Sequence, residues 1–283
     1  MRRPTLFLMV GLPAAGKTTA ARRLEVDHDA LRLTKDEWMK ALYGEQNPPS
    51  ASDVIEGRLI EIRPKDGEAA DVVRALDEGA REVARVMDVK VGELGRGLRR
   101  APRGRTSALG NLLCDLMREH AAADVAFTNK TGIRADLEPG DVRLRHLHQV
   151  SPFGNTVVSL VLDGADLLEL IEGTLQPRAT FEASGLVVRY DSHAPRGRHV
   201  GEVVVAGKPL DPTRAYRVAT NSFLADGGDN NPVFTRGRDR RDDGTTLLEL
   251  TRRHFAGRLV AGGPEDARFV DESGAGPADD ERH

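Results

Sequence analysis

Asn221-Ser-Phe223-Leu-Ala-Asp-Gly227-Gly228-Asp229 follows an apolar, β-prone run, Tyr216 to Thr220, and its paired glycines mark a turn at the end of a strand. Three further strings have the same texture of a turn placed against a regular element. Ser151-Pro-Phe153-Gly154-Asn155 precedes the apolar run Thr156 to Leu162. Asn129-Lys-Thr-Gly132-Ile133-Arg134 follows Asp124 to Thr128, which alternates like a strand. Arg105-Thr-Ser-Ala-Leu-Gly110-Asn111-Leu-Leu-Cys-Asp115 reads as a helix start, with its apolar face continuing through Leu116 and Met117. Taken singly, these residues have plain structural readings. A phenylalanine beside a turn serves core packing more often than ligand binding. Asp229 after two glycines can stabilise a turn through its side chain, and Arg134 can pair with Asp136.

In this order, the four strings resemble the C-terminal, nucleotide-recognition domain of the 5'-nucleotidase and UDP-sugar hydrolase family. The resemblance covers about Lys65 to Leu259. It implies a mixed α/β (α+β) fold with layered helices around two packed sheets. It also implies that Phe153 and Phe223 sandwich a nucleotide base, that Asp229 holds the ribose hydroxyls, and that Asn155 lies in the same substrate site. By the same resemblance Arg105, Asn129 and Arg134 contact the phosphate or the base edge, and Gly132 permits close backbone approach. The chemistry is consistent with those roles. An aromatic face accepts any base by stacking, a guanidinium fork suits phosphate, and a carboxylate accepts vicinal hydroxyls.

In the resembled family, hydrolysis belongs to a separate metallophosphatase domain that binds two metal ions through Asp, His and Asn ligands. Its signatures are not found in this sequence. Asp27-His28-Asp29 has the wrong spacing, and no Gly-Asn-His occurs. His146 and His148 lie two apart on an expected helix, where they do not share a face. The expectation is therefore a nucleotide-binding relative of the hydrolases with no catalytic residue and no metal site of its own. The partners this reading allows are a nucleotide or nucleoside and a separate metallophosphatase chain.

The N-terminal region reads differently. Thr5 to Val10 is a compact apolar run suited to a buried parallel strand. Gly11-Leu-Pro-Ala-Ala-Gly16-Lys17-Thr18 follows it and opens a helix-compatible stretch, the setting of a P-loop. In such a loop Gly11 and Gly16 let the backbone wrap phosphate, Lys17 reaches the outer phosphates, and Thr18 ligates Mg²⁺, so Mg-ATP is the implied cofactor. The segment resembles small P-loop kinases of the zeta-toxin and polynucleotide-kinase-like group, AAA-type ATP-binding proteins in which Asp36 would face the phosphoryl acceptor. Asp36 also fits the first turn of a helix begun by a Thr34/Glu37 capping box. Asn47-Pro-Pro-Ser-Ala-Ser52 then reads as a linker, leaving no room for the strands of a whole kinase.

The domain reading is accordingly a truncated P-loop annex (β, P-loop, α) over residues 1–62, a nucleotidase-like domain over 63–261, and a disordered Gly-, Pro-, Asp- and Glu-rich tail over 262–283. The junction reads as a fusion. Two alternatives stand beside the binding module: an ATP-dependent small-molecule kinase, and a non-functional fusion product.

Composition sets the outer limits. The chain has 283 residues, 39% of them hydrophobic and 30% charged, and a formal net charge of -3, which gives no global field for nucleic acid. Arg96, Arg99, Arg100, Arg103 and Arg105 form a local basic run. The lone Cys114 permits no internal disulfide, and the N-terminal apolar run ends before it reaches signal-peptide or membrane-span length. Both features lead to the expectation of a cytoplasmic protein without membrane partners, although the resembled family usually works outside the cytoplasm.

Overall fold

The computed structural model describes residues 83–101, 106–175 and 180–274, with positions 23, 27 and 81. The chain divides into two compact units, Met1–Val83 and Ala84–His283, and every element below belongs to the second. Gly11, Gly16, Lys17, Thr18, Asp36 and Arg105 lie outside the described residues.

The elements run β1 (Lys90–Leu94), α1 (Ala108–His120), β2 (Val125–Asn129), β3 (Gly140–Arg143), α2 (Leu144–Val150), β4 (Thr156–Asp163), α3 (Gly164–Thr174), β5 (Phe181–Ser184), β6 (Leu186–Tyr190), β7 (Val200–Val205), β8 (Lys208–Pro209), β9 (Ala215–Asn221), α4 (Ser222–Ala225), β10 (Arg238–Thr246), α5 (Leu247–Phe255), β11 (Leu259–Val260) and β12 (Phe269–Asp271). The mixed fold is as expected. Where the resemblance implies two sheets, the described residues carry three, ordered β10-β4-β9-β2-β5, β12-β6-β7-β8 and β11-β1-β3.

The five-stranded sheet forms the middle layer, because its inner strands β4, β9 and β2 are apolar on both faces. Val125 and Phe127 of β2, with Val158, Leu160 and Leu162 of β4, enter one core beside Leu167, Leu170 and Ile171 of α3 and the inner face of the β12-β6-β7-β8 sheet. Ala126 and Val157 point the other way, into a second core built from Leu109, Leu113 and Met117 of α1, Leu147 of α2, Leu250 and Phe255 of α5, and Leu94 of β1. This strand alternation fixes the layering, since a one-residue slip would exchange the two faces.

Helix α1 starts where the Ser107 side chain accepts the Gly110 N–H at 2.9 Å, and it ends with Arg118 and His120 in the turn where the helix dipole favours positive charge. Ser107 also donates its hydroxyl to Glu182 at 2.6 Å, and Glu182 in turn pairs with Lys130 at 2.7 Å. Both Glu182 and Lys130 are buried, so this pair ties α1, β5 and the turn after β2 together away from water.

One segment departs from the sequence reading. Residues 262–274 are part of the fold and not of a disordered tail. Phe269–Asp271 pairs in parallel with β6, and the buried Arg268 grips both carboxylate oxygens of Asp115 at 2.9 Å while donating to the Ala183 carbonyl at 2.7 Å. The composition is poor in apolar residues, and order comes instead from a bidentate, charge-assisted anchor. The run Arg238–Thr246 is an edge strand on β4. Its Arg238 meets Asp163 at 2.7 Å, and its charges protect the exposed edge from further pairing.

The basic run is neutralised where it is described. Arg96 pairs with Glu265 at 2.9 Å, Arg99 with Glu138 at 2.8 Å, and Arg100 with Asp136 at 3.1 Å. No helix among the described residues is long and apolar enough to cross a membrane.

Candidate functional site

Strands β2 and β9 are the one parallel pair of the central sheet, with Val125 opposite Val218 and Ala126 opposite Ala219. Their C-terminal ends therefore emerge at the same edge. The antiparallel neighbour β4 begins at that edge, because Val157 lies opposite Asn221. Three of the sequence strings converge there as the turns leaving β2 and β9 and the turn entering β4. Loops at the carboxyl ends of parallel strands are a common setting for ligand sites.

The turn after β2 is a single 3-10 turn, Lys130–Gly132. A Cβ at Gly132 would approach Asn129 Oδ1 to 2.7 Å, so glycine here makes room for the buried Asn129 side chain. Asn129 donates its amide to Thr131 Oγ1 at 3.0 Å and to Asp229 Oδ2 at 2.8 Å. The Thr131 hydroxyl lies 3.5 Å from the same Asp229 oxygen. Arg134 donates to the Thr131 carbonyl at 3.2 Å, and its guanidinium stands 6.0 Å over the Phe153 ring, in cation–π range. It does not pair with Asp136, which is taken by Arg100.

After β9, Asn221 caps α4 by accepting the Leu224 N–H at 3.0 Å. That short helix carries Phe223, and a Cβ at Gly228 would meet the Phe223 ring at 2.5 Å. Gly228 is thus the floor against which this ring lies. Gly227, Asp229 and Asn230 all adopt left-handed backbone, with φ of 87°, 54° and 55°. Asp and Asn tolerate this region better than other side chains, and holding it over three of four residues requires outside support. The Asn129 amide supplies that support to Asp229.

Before β4, Phe153 precedes Gly154, whose φ is 66°, and Asn155 accepts the Leu247 N–H at 3.2 Å through its carbonyl. The turn is stitched to α4 by Thr156 N–H donating to Ser222 Oγ at 3.2 Å. Phe153 and Phe223 are 47% and 44% exposed, so neither is a core residue. Asn129, Gly132, Ser151, Asn155 and Asn221 line a small cleft at this edge together with the buried Leu113 and Leu247.

Phe153, Phe223, Asn129, Gly132, Arg134, Asn155 and Asp229 thus sit on turns of one sheet edge, and the structure adds Asn221, Thr131 and Gly228. The sequence contains all three inside the quoted strings, but their roles depend on contacts across the fold. His146 and His148 lie on α2, as expected. The His146 ring is kept below its ordinary pKa by burial and by Arg145 and Arg143, and its Nδ1 accepts the Arg143 N–H at 3.2 Å. No group of three or more His, Cys, Asp or Glu is placed to hold a metal among the described residues.

Known proteins resemble this chain in sequence and fold. The family profile described as 5'-nucleotidase, C-terminal domain, matches residues 83–236, more than half of the chain, and a profile described as AAA domain matches residues 6–86. Protein UshA of Yersinia enterocolitica is 33% identical over 52% of this chain and 27% of its own length. The trifunctional nucleotide phosphoesterase protein YfkN of Bacillus subtilis is 32% identical over 68% of this chain and 14% of its own. The chain therefore spans about a quarter or less of these two relatives. Among solved structures, the 5'-nucleotidase precursor of Thermus thermophilus superposes with a TM-score of 0.64 at 30% identity, over 71% of this chain and 43% of that one. With the converging turns, the layered mixed fold and the profile match in agreement, the chain belongs to the family of the 5'-nucleotidase C-terminal domain.

Proposed function

We propose that the edge formed by the turns after β2 and β9 and before β4 binds a nucleotide or nucleoside. The base stacks on Phe153 and Phe223, the ribose hydroxyls donate to Asp229, and Arg134 with Arg105 faces the phosphate. The observation that carries this reading is that two solvent-open phenylalanines and a carboxylate held in left-handed backbone lie on turns of the same sheet edge. Large aromatics left exposed on ordered turns gain nothing for folding, whereas each base–aromatic stack contributes about 1 to 3 kcal/mol to binding. The name of the Bacillus trifunctional nucleotide phosphoesterase supports a nucleotide as the ligand. In this reading the domain described here contributes recognition, and hydrolysis falls to a metallophosphatase outside it.

Titrating AMP into the protein with Mn²⁺ present, while following phosphate release, tests both parts. Saturable binding without sustained phosphate release is the expected result. Steady turnover would place a metal site within the chain, and no binding would remove the assignment.

The AAA domain match supports a second reading for the N-terminal region, in which Gly11, Gly16, Lys17 and Thr18 hold Mg-ATP and Asp36 serves phosphoryl transfer. Lys17→Ala then abolishes ATP binding and leaves AMP binding at the Phe223 site intact. Loss of both together would show that the two sites are not separate.

A further inference from the structure

Asn221 is buried, and every polar group of its side chain is used. Its Oδ1 caps the helix that carries Phe223. Its Nδ2 donates to Thr128 Oγ1 at 3.1 Å and to Asn129 Oδ1 at 3.2 Å. By accepting that bond, Asn129 is oriented with its own amide turned outward, where it reaches Asp229. An amide rotated by half a turn would present its oxygen to the carboxylate instead. One side chain thus sets both the start of the Phe223 helix and the direction of the hydrogen bond to Asp229.

We propose that Asn221 is a positioning residue that couples the base-stacking half of the site to the ribose-binding half, acting on Phe223 through the helix cap and on Asp229 through Asn129. The proposal rests on the nucleotide-binding reading above. Its two arms are chemically separable, because the cap needs only an acceptor whereas the relay needs a donor. Asn221→Ser keeps an oxygen able to cap the helix and replaces the two-donor amide with a single, shorter hydroxyl, whereas Asn221→Asp offers acceptors only. Asn221→Ala removes both functions.

The test compares adenosine with 2',3'-dideoxyadenosine by calorimetric titration of the full chain. Wild-type protein is expected to bind adenosine tenfold or more tightly than the dideoxy ligand. In Asn221→Ser that preference falls to about threefold or less because adenosine weakens more than dideoxyadenosine; in Asn221→Ala both ligands weaken. Asn221→Asp, which keeps the volume and the cap acceptor, gives the Ser pattern and covers the case in which a smaller side chain does not fold. Equal weakening of both ligands in the Ser and Asp variants, or full retention of the preference, overturns the coupling. Wild-type protein that does not distinguish the two ligands would instead show that Asp229 does not read the ribose, a failure of the underlying reading visible before any variant is made.

Discussion

The side chains of Asn129 and Asp229, a hundred positions apart in the chain, meet at 2.8 Å across the edge where β2 and β9 end side by side. The contact joins a residue inside the fold to one on its surface, and it predicts how the site responds to substitution. Asp229→Asn retains a side chain that accepts left-handed backbone but loses the charge that would receive ribose hydroxyls. Nucleoside affinity should fall by about 1.5 to 3 kcal/mol, the range for hydrogen bonds to a charged group. The melting temperature should change little. Calorimetry beside a thermal melt measures both, and a variant that binds as wild type would show that the carboxylate is not a ligand group.

Phe223→Ala and Phe153→Ala should spare the fold and remove the ligand. Both rings are nearly half exposed, so truncation leaves no buried cavity. Phe127, fully buried on β2, supplies the contrast. Its truncation should cost about 3 to 5 kcal/mol of stability by opening a core void. Chemical denaturation of the three variants ranks them, and an order with either exposed phenylalanine first would contradict their placement.

Gly228→Ala tests the seat of the Phe223 ring. The added methyl would lie 2.5 Å from a ring carbon, too close to be accommodated without displacing the ring. Because the ring is solvent-open, it can move at little cost to folding, so nucleoside binding should weaken at least tenfold with stability nearly unchanged. Unaltered binding would mean that the ring position is not critical.

Much of this was legible in the sequence. Strand β9 and its following turn, the strand after Phe153, and the helix after Ser107 stand out because local chemistry fixes them: apolar runs, paired glycines, a capping serine. The roles of Asn221 and Thr131 were not legible. A polar residue at a strand end reads as a helix cap and nothing more, and the Asn129 amide that gives Asn221 its second role lies 92 positions away. The strand Phe269–Asp271 was hidden for a similar reason. Its order comes from β6 and from the Arg268–Asp115 pair, which joins positions 153 apart, not from its own composition.

Glu172 links stability to pH. Burial alone would raise its pKa, but the N–H groups of His199 and Val200, at 3.0 and 2.8 Å, and the His199 ring outweigh burial and hold it below its ordinary value. A carboxylate lowered in the folded state contributes stability that is complete above its unfolded pKa and is lost as the pH falls through the carboxylate range. Unfolding free energy should therefore decline from about pH 5 downward, and Glu172→Gln should be less stable at pH 7 and show a shallower decline. Parallel denaturation curves for the two proteins across that range would show that the contact contributes nothing.

The most direct measurement is AMP binding to the wild-type chain and to Phe223→Ala under identical conditions. A single saturable site in the first, absent or at least tenfold weaker in the second with the melting temperature preserved, is the predicted result. Equal affinity in both proteins would place any nucleotide elsewhere and contradict the assignment of this edge.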